Sequence, residues 1–266
     1  MKIAIYAKTA DKRRDPRLDQ VFAAVEDLEI YDICSSGDIR ERTDILLSVG
    51  GDGTFLSAAR LVCRLGIPVL GVNLGRMGFL SEYTPSQVAH ALASGEYIIE
   101  EREMLCSAVV GGEEHYSLNE VSLNRAGASM LGIDVRIGDR LLPTYWADGL
   151  LVATSSGSTA YSLSAGGPIC TPDAKVLIIT PIAPHNLNVR PLIVPSSARI
   201  ELSVRSRDGE VMLTRDNTHE LIPSKAVVKV SVAQFSLKRV RLAESDFIGA
   251  LRSKLFWGED VRNTEL

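Results

Sequence analysis

The chain has 266 residues, of which 45% are hydrophobic and 23% charged, with a formal net charge of −4 at pH 7. That length allows one large domain or two of ordinary size, and the composition is that of a soluble globular protein. The acidic balance argues against a dedicated nucleic-acid binder, and no apolar run reaches the ~18 residues needed to cross a bilayer. The cysteines, Cys34, Cys63, Cys106 and Cys170, lie far apart and never as C-x-x-C. They are expected as reduced thiols of a cytoplasmic protein rather than a disulfide frame or zinc site.

In chain order, Ile3–Ala7 is an apolar stretch too short for a signal peptide and reads as a first strand. A charged loop, Asp11 to Pro16, follows. Leu18 to Leu28 has Val21, Phe22, Val25 and Leu28 at helical spacing. Strand-like runs at Leu28–Ile33, Ile45–Val49 and Ile67–Val72 alternate with a helical pattern after Thr54 and another at Pro85–Leu92. Strands alternating with helices imply a parallel sheet, whose ligands bind at the carboxyl ends of the strands. After about residue 100 short strands dominate, joined by Gly and Asp turns, and only Thr159–Ala165 suggests a helical turn. Asp246 to Trp257 returns to helical spacing. The expected architecture is an α/β domain with a Rossmann-like parallel sheet over residues 1–100, then a β-rich, β-sandwich-like domain over 101–245. A closing helix in 246–266 is expected to pack back on the first domain.

Two stretches are dense in chemistry. Gly50-Gly51-Asp52-Gly53-Thr54 stands between an apolar strand and a helix start. Glycines admit close approach of an anion, and the first helical N–H groups favour negative charge. A carboxylate there accepts a proton from an attacking hydroxyl, helps hold a phosphate-bound metal, or merely caps the helix. The second stretch, Asp148 to Pro168, is rich in hydroxyls and glycines, with Tyr161 as a face on which a base can stack. Such hydroxyls are costly in a core unless partnered, so they suit a ligand-binding loop. A serine hydrolase is disfavoured, because the G-x-S-x-G elbow is absent. Asn119-Glu120, a polar pair in a strand-like run, suits a base edge or ribose if buried and is unremarkable if exposed.

These motifs together resemble the NAD kinase family. Gly50–Thr54 matches a G-G-D-G-T signature that the family shares with lipid kinases and phosphofructokinases. Asn73-x-Gly75-x-x-Gly78-Phe79-Leu80, Leu118–Val121, Asp148-Gly149-Leu150, Gly157–Pro168 and Pro184-His185-x-Leu187-x-x-Arg190-Pro191 follow in the family's order. Leu251 to Gly258 resembles its C-terminal helix.

The resemblance implies ATP-dependent phosphorylation of the 2′-hydroxyl of the adenosine ribose of NAD, giving NADP, with a divalent metal such as Mg2+ carried by ATP. It makes Asp52 the general base and Gly50, Gly51, Gly53, Thr54 and Arg76 the phosphate contacts. It places NAD against Asp52, Gly53, Phe79, Asn119, Glu120, Asp148, Thr159, Ala160, Tyr161, Ser162, Leu163 and Ser164. It also implies a homotetramer or homodimer whose active site is shared between subunits. The expected partners are NAD and ATP, with no nucleic acid and no membrane.

Two departures from the family's pattern stand out. Trp146 replaces a frequent Arg or Lys, a loss that either weakens binding or moves the role to another residue such as Arg76 or Arg140, and Asp216-Asn217-Thr218 replaces a frequent Asp-Gly-Gln. The competing readings are a lipid or sugar kinase and a nucleotide sensor without catalysis. The hydroxyl-rich loop disfavours a lipid kinase, and the carboxylate of Asp52 disfavours a pure sensor. A nicotinamide dehydrogenase is disfavoured because no G-x-G-x-x-G follows the first strand.

Overall fold

The computed structural model describes residues 1–75 and 78–257. The chain divides into two compact units: residues 1–101 with the described chain from Leu237 onward, and Arg102–Ser236.

The first unit is built on parallel strands in the order Glu29–Asp32, Lys2–Tyr6, Ile45–Val49 and Val69–Val72. Arg239 adds a further parallel pairing beside Val69. Ile45–Val49 and Val69–Val72 are buried at every position, as continuous apolar runs of a parallel sheet require. Helix Asp52–Val62 buries Phe55, Leu56, Ala58, Ala59 and Val62. Helix Pro85–Ser94 opens with a Thr84–Gln87 capping box and Pro85 in its first turn, and ends at left-handed Gly95. The helix expected over Leu18–Leu28 is shorter: a 3₁₀ turn, Pro16–Leu18, leads into Asp19–Ala23. Asp27 has φ 49°, which no right-handed helix accommodates, yet Val25 and Leu28 still pack against the core. The C-terminal helix is Phe247–Leu255, with Asp246 as N-cap accepting from Gly249 N at 2.7 Å and Leu251 buried.

The second unit is antiparallel. Its strands run Thr218–Pro223, Glu210–Arg215, Glu120–Arg125, Tyr145–Thr154, Leu131–Ile137, Ile200–Arg205 and the start of Val227–Leu242. Tyr145–Thr154 is the spine. One edge pairs with Val176–Pro184; the other pairs with Leu131–Ile137 through Ala147 and with Glu120–Arg125 from Gly149 onward. Leu150 and Val152 join the large core, while Leu151 and Ala153 form a smaller cluster with Ile178, against which Ala165 and Cys170 pack. Both faces of the spine are therefore buried. All four cysteines are free. Among the described residues no helix is long and apolar enough to cross a membrane.

Candidate functional site

In the first unit the glycine loop follows strand Ile45–Val49, and Gly51 is the N-cap of helix Asp52–Val62, with no side-chain cap. The carboxylate of Asp52 does not cap its own helix. It accepts the consecutive N–H groups of Phe79 at 2.8 Å, Leu80 at 3.0 Å and Ser81 at 2.9 Å. A carboxylate offers about four lone-pair sites, so one remains. Gly78 makes this approach possible, because a Cβ there would overlap the Asp52 carboxyl group. The next carbonyl along is also held, since Asn73 Nδ2 donates to Ser81 O at 2.8 Å. Lys8, just past the first strand, reaches the same loop: its ammonium lies 3.5 Å from where a Cβ on Gly53 would stand. Sequence reasoning missed Lys8, although its place at the carboxyl end of a parallel strand was the available signal. Arg76 lies outside the described residues.

In the second unit Asn119 and Glu120 open strand Glu120–Arg125 and are each only 7% exposed, which removes the exposed-strand alternative. Asp216 pins them. Its carboxylate accepts the N–H groups of Leu118 at 2.8 Å, Asn119 at 2.8 Å and Glu120 at 3.1 Å. Its own N–H donates to Glu120 O at 3.0 Å, from a hairpin turn where Asp216 takes φ 49°. Gly157 lets the following 3₁₀ turn, Ser156–Thr159, press onto Asn119, whose backbone a Cβ would strike. Among the buried polar atoms left without a hydrogen bond are Asn119 Oδ1 and Glu120 Oε2, with Ser117 Oγ and Ser156 Oγ in the flanking segments. Burial first, and the Asp216 charge second, push the Glu120 carboxyl up to about 8. Tyr161, 39% exposed, stands nearby in the helical turn Tyr161–Ser164; burial and the charge of Glu120 raise its phenol.

Several hydroxyls of the hydroxyl-rich stretch are spent on neighbouring segments of the same unit. Thr154 Oγ1 donates to Leu118 O at 2.6 Å, Ser155 Oγ to Pro172 O at 2.9 Å and Ser158 Oγ to Cys170 O at 3.2 Å. Ser162 is fully buried, with its hydroxyl 3.1 Å from Thr180 Oγ1. The side chain of Ser162 thus serves packing, whereas Thr159, Ala160, Leu163 and Ser164 keep partial or full exposure. Asp148 sits where the spine strand changes partner and forms a 3.3 Å ion pair with Arg125. Trp146 is exposed, with the Arg205 guanidinium 5.9 Å from its ring centroid; Arg140 lies on a short exposed strand. Arg205 itself is ion-paired to Asp134 at 2.8 Å.

A glycine loop between parallel strand and helix, carried with a β-rich unit holding an open amide–carboxyl pair, defines a nucleotide-dependent phosphotransferase. A family model described as the ATP-NAD kinase N-terminal domain matches residues 15–97, and one for the ATP-NAD kinase C-terminal domain matches 118–242. The chain belongs to the ATP-NAD kinase family. It is 39% identical to an NAD kinase of Flavobacterium psychrophilum over 86% of this chain and 81% of the relative. It is 34% identical to an NAD kinase of Flavobacterium johnsoniae over 99% and 100%. Among solved structures, yeast NADH kinase complexed with NADH matches with a TM-score of 0.88 and 25% identity, covering 100% of this chain and 90% of that one. An NAD kinase from Archaeoglobus fulgidus in complex with ATP matches with a TM-score of 0.77 and 25% identity, covering 95% and 99%.

Proposed function

We propose that this chain transfers the γ-phosphoryl group of ATP to the 2′-hydroxyl of the adenosine ribose of NAD. The hydroxyl oxygen forms the new P–O bond, the bond to the β–γ bridging oxygen breaks, ADP leaves, and the hydroxyl proton passes to Asp52. Phosphoryl transfer asks a protein mainly for positioning, charge neutralisation and a proton acceptor. In this reading Gly50, Gly51, Gly53 and Thr54 take the donor phosphates, with Lys8 supplying positive charge. Asn119 and Glu120 take the NAD adenosine, and Tyr161 supports the base, with Thr159, Ala160, Leu163 and Ser164 beside it. Phe79 lines the NAD pocket, and Asp148 serves the nicotinamide end.

The observation that carries the reading is the pair of buried, unpartnered atoms on Asn119 and Glu120. Buried polar atoms without partners are rare and expensive, and a ligand offering ribose hydroxyls and a base edge satisfies both. Among the described residues no group of three or more His, Cys, Asp or Glu side chains gathers to hold a metal. In this reading a divalent ion enters as part of the ATP substrate. The reading includes a cytoplasmic location and a homotetramer or homodimer sharing its active sites.

The test is incubation with ATP, magnesium and NAD, assayed for NADP. NADP is expected with the wild type and at a rate lower by roughly 10²–10⁴-fold with Asp52→Asn. A wild type that binds NAD but makes no NADP from ATP or polyphosphate defeats the proposal and leaves a sensor.

A further inference from the structure

The segment that Asp52 grips is held from its other side as well. Arg239, 4% exposed, points Nη2 at the carbonyl oxygens of Phe79 (3.4 Å) and Leu80 (3.5 Å) and pairs with Glu82 Oε1 at 2.6 Å. Its Nη1 meets Glu100 at 3.1 Å. The second oxygen of Glu82 accepts from Lys254 Nζ at 2.8 Å. Lys254 belongs to the C-terminal helix, its side chain is only 10% exposed, and its ammonium lies 5.0 Å from the Phe79 ring centroid. Burial alone pushes Glu82 up, but Arg239 and Lys254 outweigh it and hold the carboxyl below its ordinary value. Glu82 is thus an ionised bridge between two cations. The N–H groups of residues 79–81 go to Asp52, the carbonyls of 79 and 80 to Arg239, and the ring of Phe79 to Lys254.

We infer that Lys254 is a positioning residue for phosphoryl transfer: through Glu82 and the Phe79 ring, the C-terminal helix holds the 79–81 segment and thereby the Asp52 carboxylate. This rests on the proposed role of Asp52. The geometry gives Lys254 two separate holds on one short segment, the shared carboxylate and the aromatic face. A carboxylate that keeps one free lone pair must be aimed, and a shift of about an ångström in a reacting group is enough to cost one to two orders of magnitude in rate. Lys254 touches no reacting atom; it acts by supporting groups that do.

The experiment compares wild type, Lys254→Met and Lys254→Arg as full-length chains, at a temperature where circular dichroism shows all three folded. Lys254→Met keeps the stem and removes the charge. Its kcat is expected to fall about tenfold while KM for ATP stays within about threefold, the pattern of a loss felt in the transition state. Lys254→Arg, which keeps both the ion pair and the cation over the ring, is expected to restore most of the rate. Hydrogen exchange supplies a readout that needs no turnover: the amides of Phe79, Leu80 and Ser81 should exchange faster in Lys254→Met than in wild type. A kcat within twofold of wild type overturns the inference. So does a lowered kcat with unchanged exchange at 79–81, or a Lys254→Arg chain as slow as Lys254→Met. If the wild type makes no NADP, the reading of function fails, and the exchange result still decides whether Lys254 holds the segment.

Discussion

Both units pin their candidate site with the same device, an aspartate whose carboxylate collects three consecutive backbone N–H groups. In the first unit Asp52 collects those of Phe79, Leu80 and Ser81; in the second Asp216 collects those of Leu118, Asn119 and Glu120. The surroundings differ. Asp52 starts a helix beside a glycine loop, with the Lys8 ammonium at the next residue. Asp216 sits in a hairpin turn and faces Glu120, a second acid that its charge helps keep protonated. One motif thus serves two chemistries. Beside the glycine loop the clasp leaves one carboxylate lone pair open, whereas beside a buried carboxyl it biases the charge of its neighbour.

The comparison can be broken most sharply at Asp52. Asp52→Asn should lower turnover by roughly 10²–10⁴-fold, the range of a general-base contribution. The substitution is not silent in structure, because its amide nitrogen must face one of the three N–H donors. Near-normal turnover would leave Asp52 with the clasp alone and make the two units equivalent.

At Asp216 the same change should act on stability and binding instead. Asp216→Asn sets donor against donor in a half-buried place and should cost about 1–3 kcal/mol in chemical denaturation, with weaker NAD binding by titration calorimetry. An unchanged stability would mean the hydrogen bonds to Asp216 are dispensable.

Glu120 sharpens the electrostatic half of the contrast. Its carboxyl stands at about 8 in the folded chain against an ordinary 4.5. Folding therefore keeps a proton that the unfolded chain gives up, so this group's contribution is complete below pH 4.5 and is lost as pH rises through 8. Glu120→Gln, which mimics the protonated form, should melt higher than wild type at pH 8–9, and the gap should close toward pH 5. Melting temperatures that run parallel across that range would remove the shift. The smallest effect is expected at Tyr161, where Tyr161→Ala should weaken NAD binding by about 1–3 kcal/mol if the ring stacks on the base. An unchanged affinity would make Tyr161 a packing residue.

What could be read from the sequence was what is local. The strand, glycine loop and helix around Asp52 lie within a few residues of one another and carry period and turn signals, so both the parallel sheet and the loop were legible. Asn119 and Glu120 were legible as an odd polar pair, but their burial was not, since it depends on Asp216 almost a hundred residues on. Composition marks Asp148 to Pro168 as suited to a ligand, but it cannot distinguish a ligand from the carbonyls of Leu118, Pro172 and Cys170, which accept from Thr154, Ser155 and Ser158. Lys8 and Arg239 carried no motif, Lys254 stood in the C-terminal match at Leu251 to Gly258 without a stated role, and each gains its meaning only from the segment it meets in space.

The first unit is built from two separated pieces of chain, with Arg102–Ser236 inserted between them. On a ribosome the β-rich unit is synthesised as one continuous piece, whereas the N-terminal sheet emerges long before Arg239 and Lys254. Until those residues arrive, Glu82 has neither of its cations and the 79–81 carbonyls lack their guanidinium. Domains fold as units when their chain is available, so the insertion is free to fold first while the glycine-loop unit waits for its last strand and helix. The protein therefore braces the segment under Asp52 only after Lys254 has been made, and a nascent chain released before Leu237 would hold the Asp52 clasp without that support.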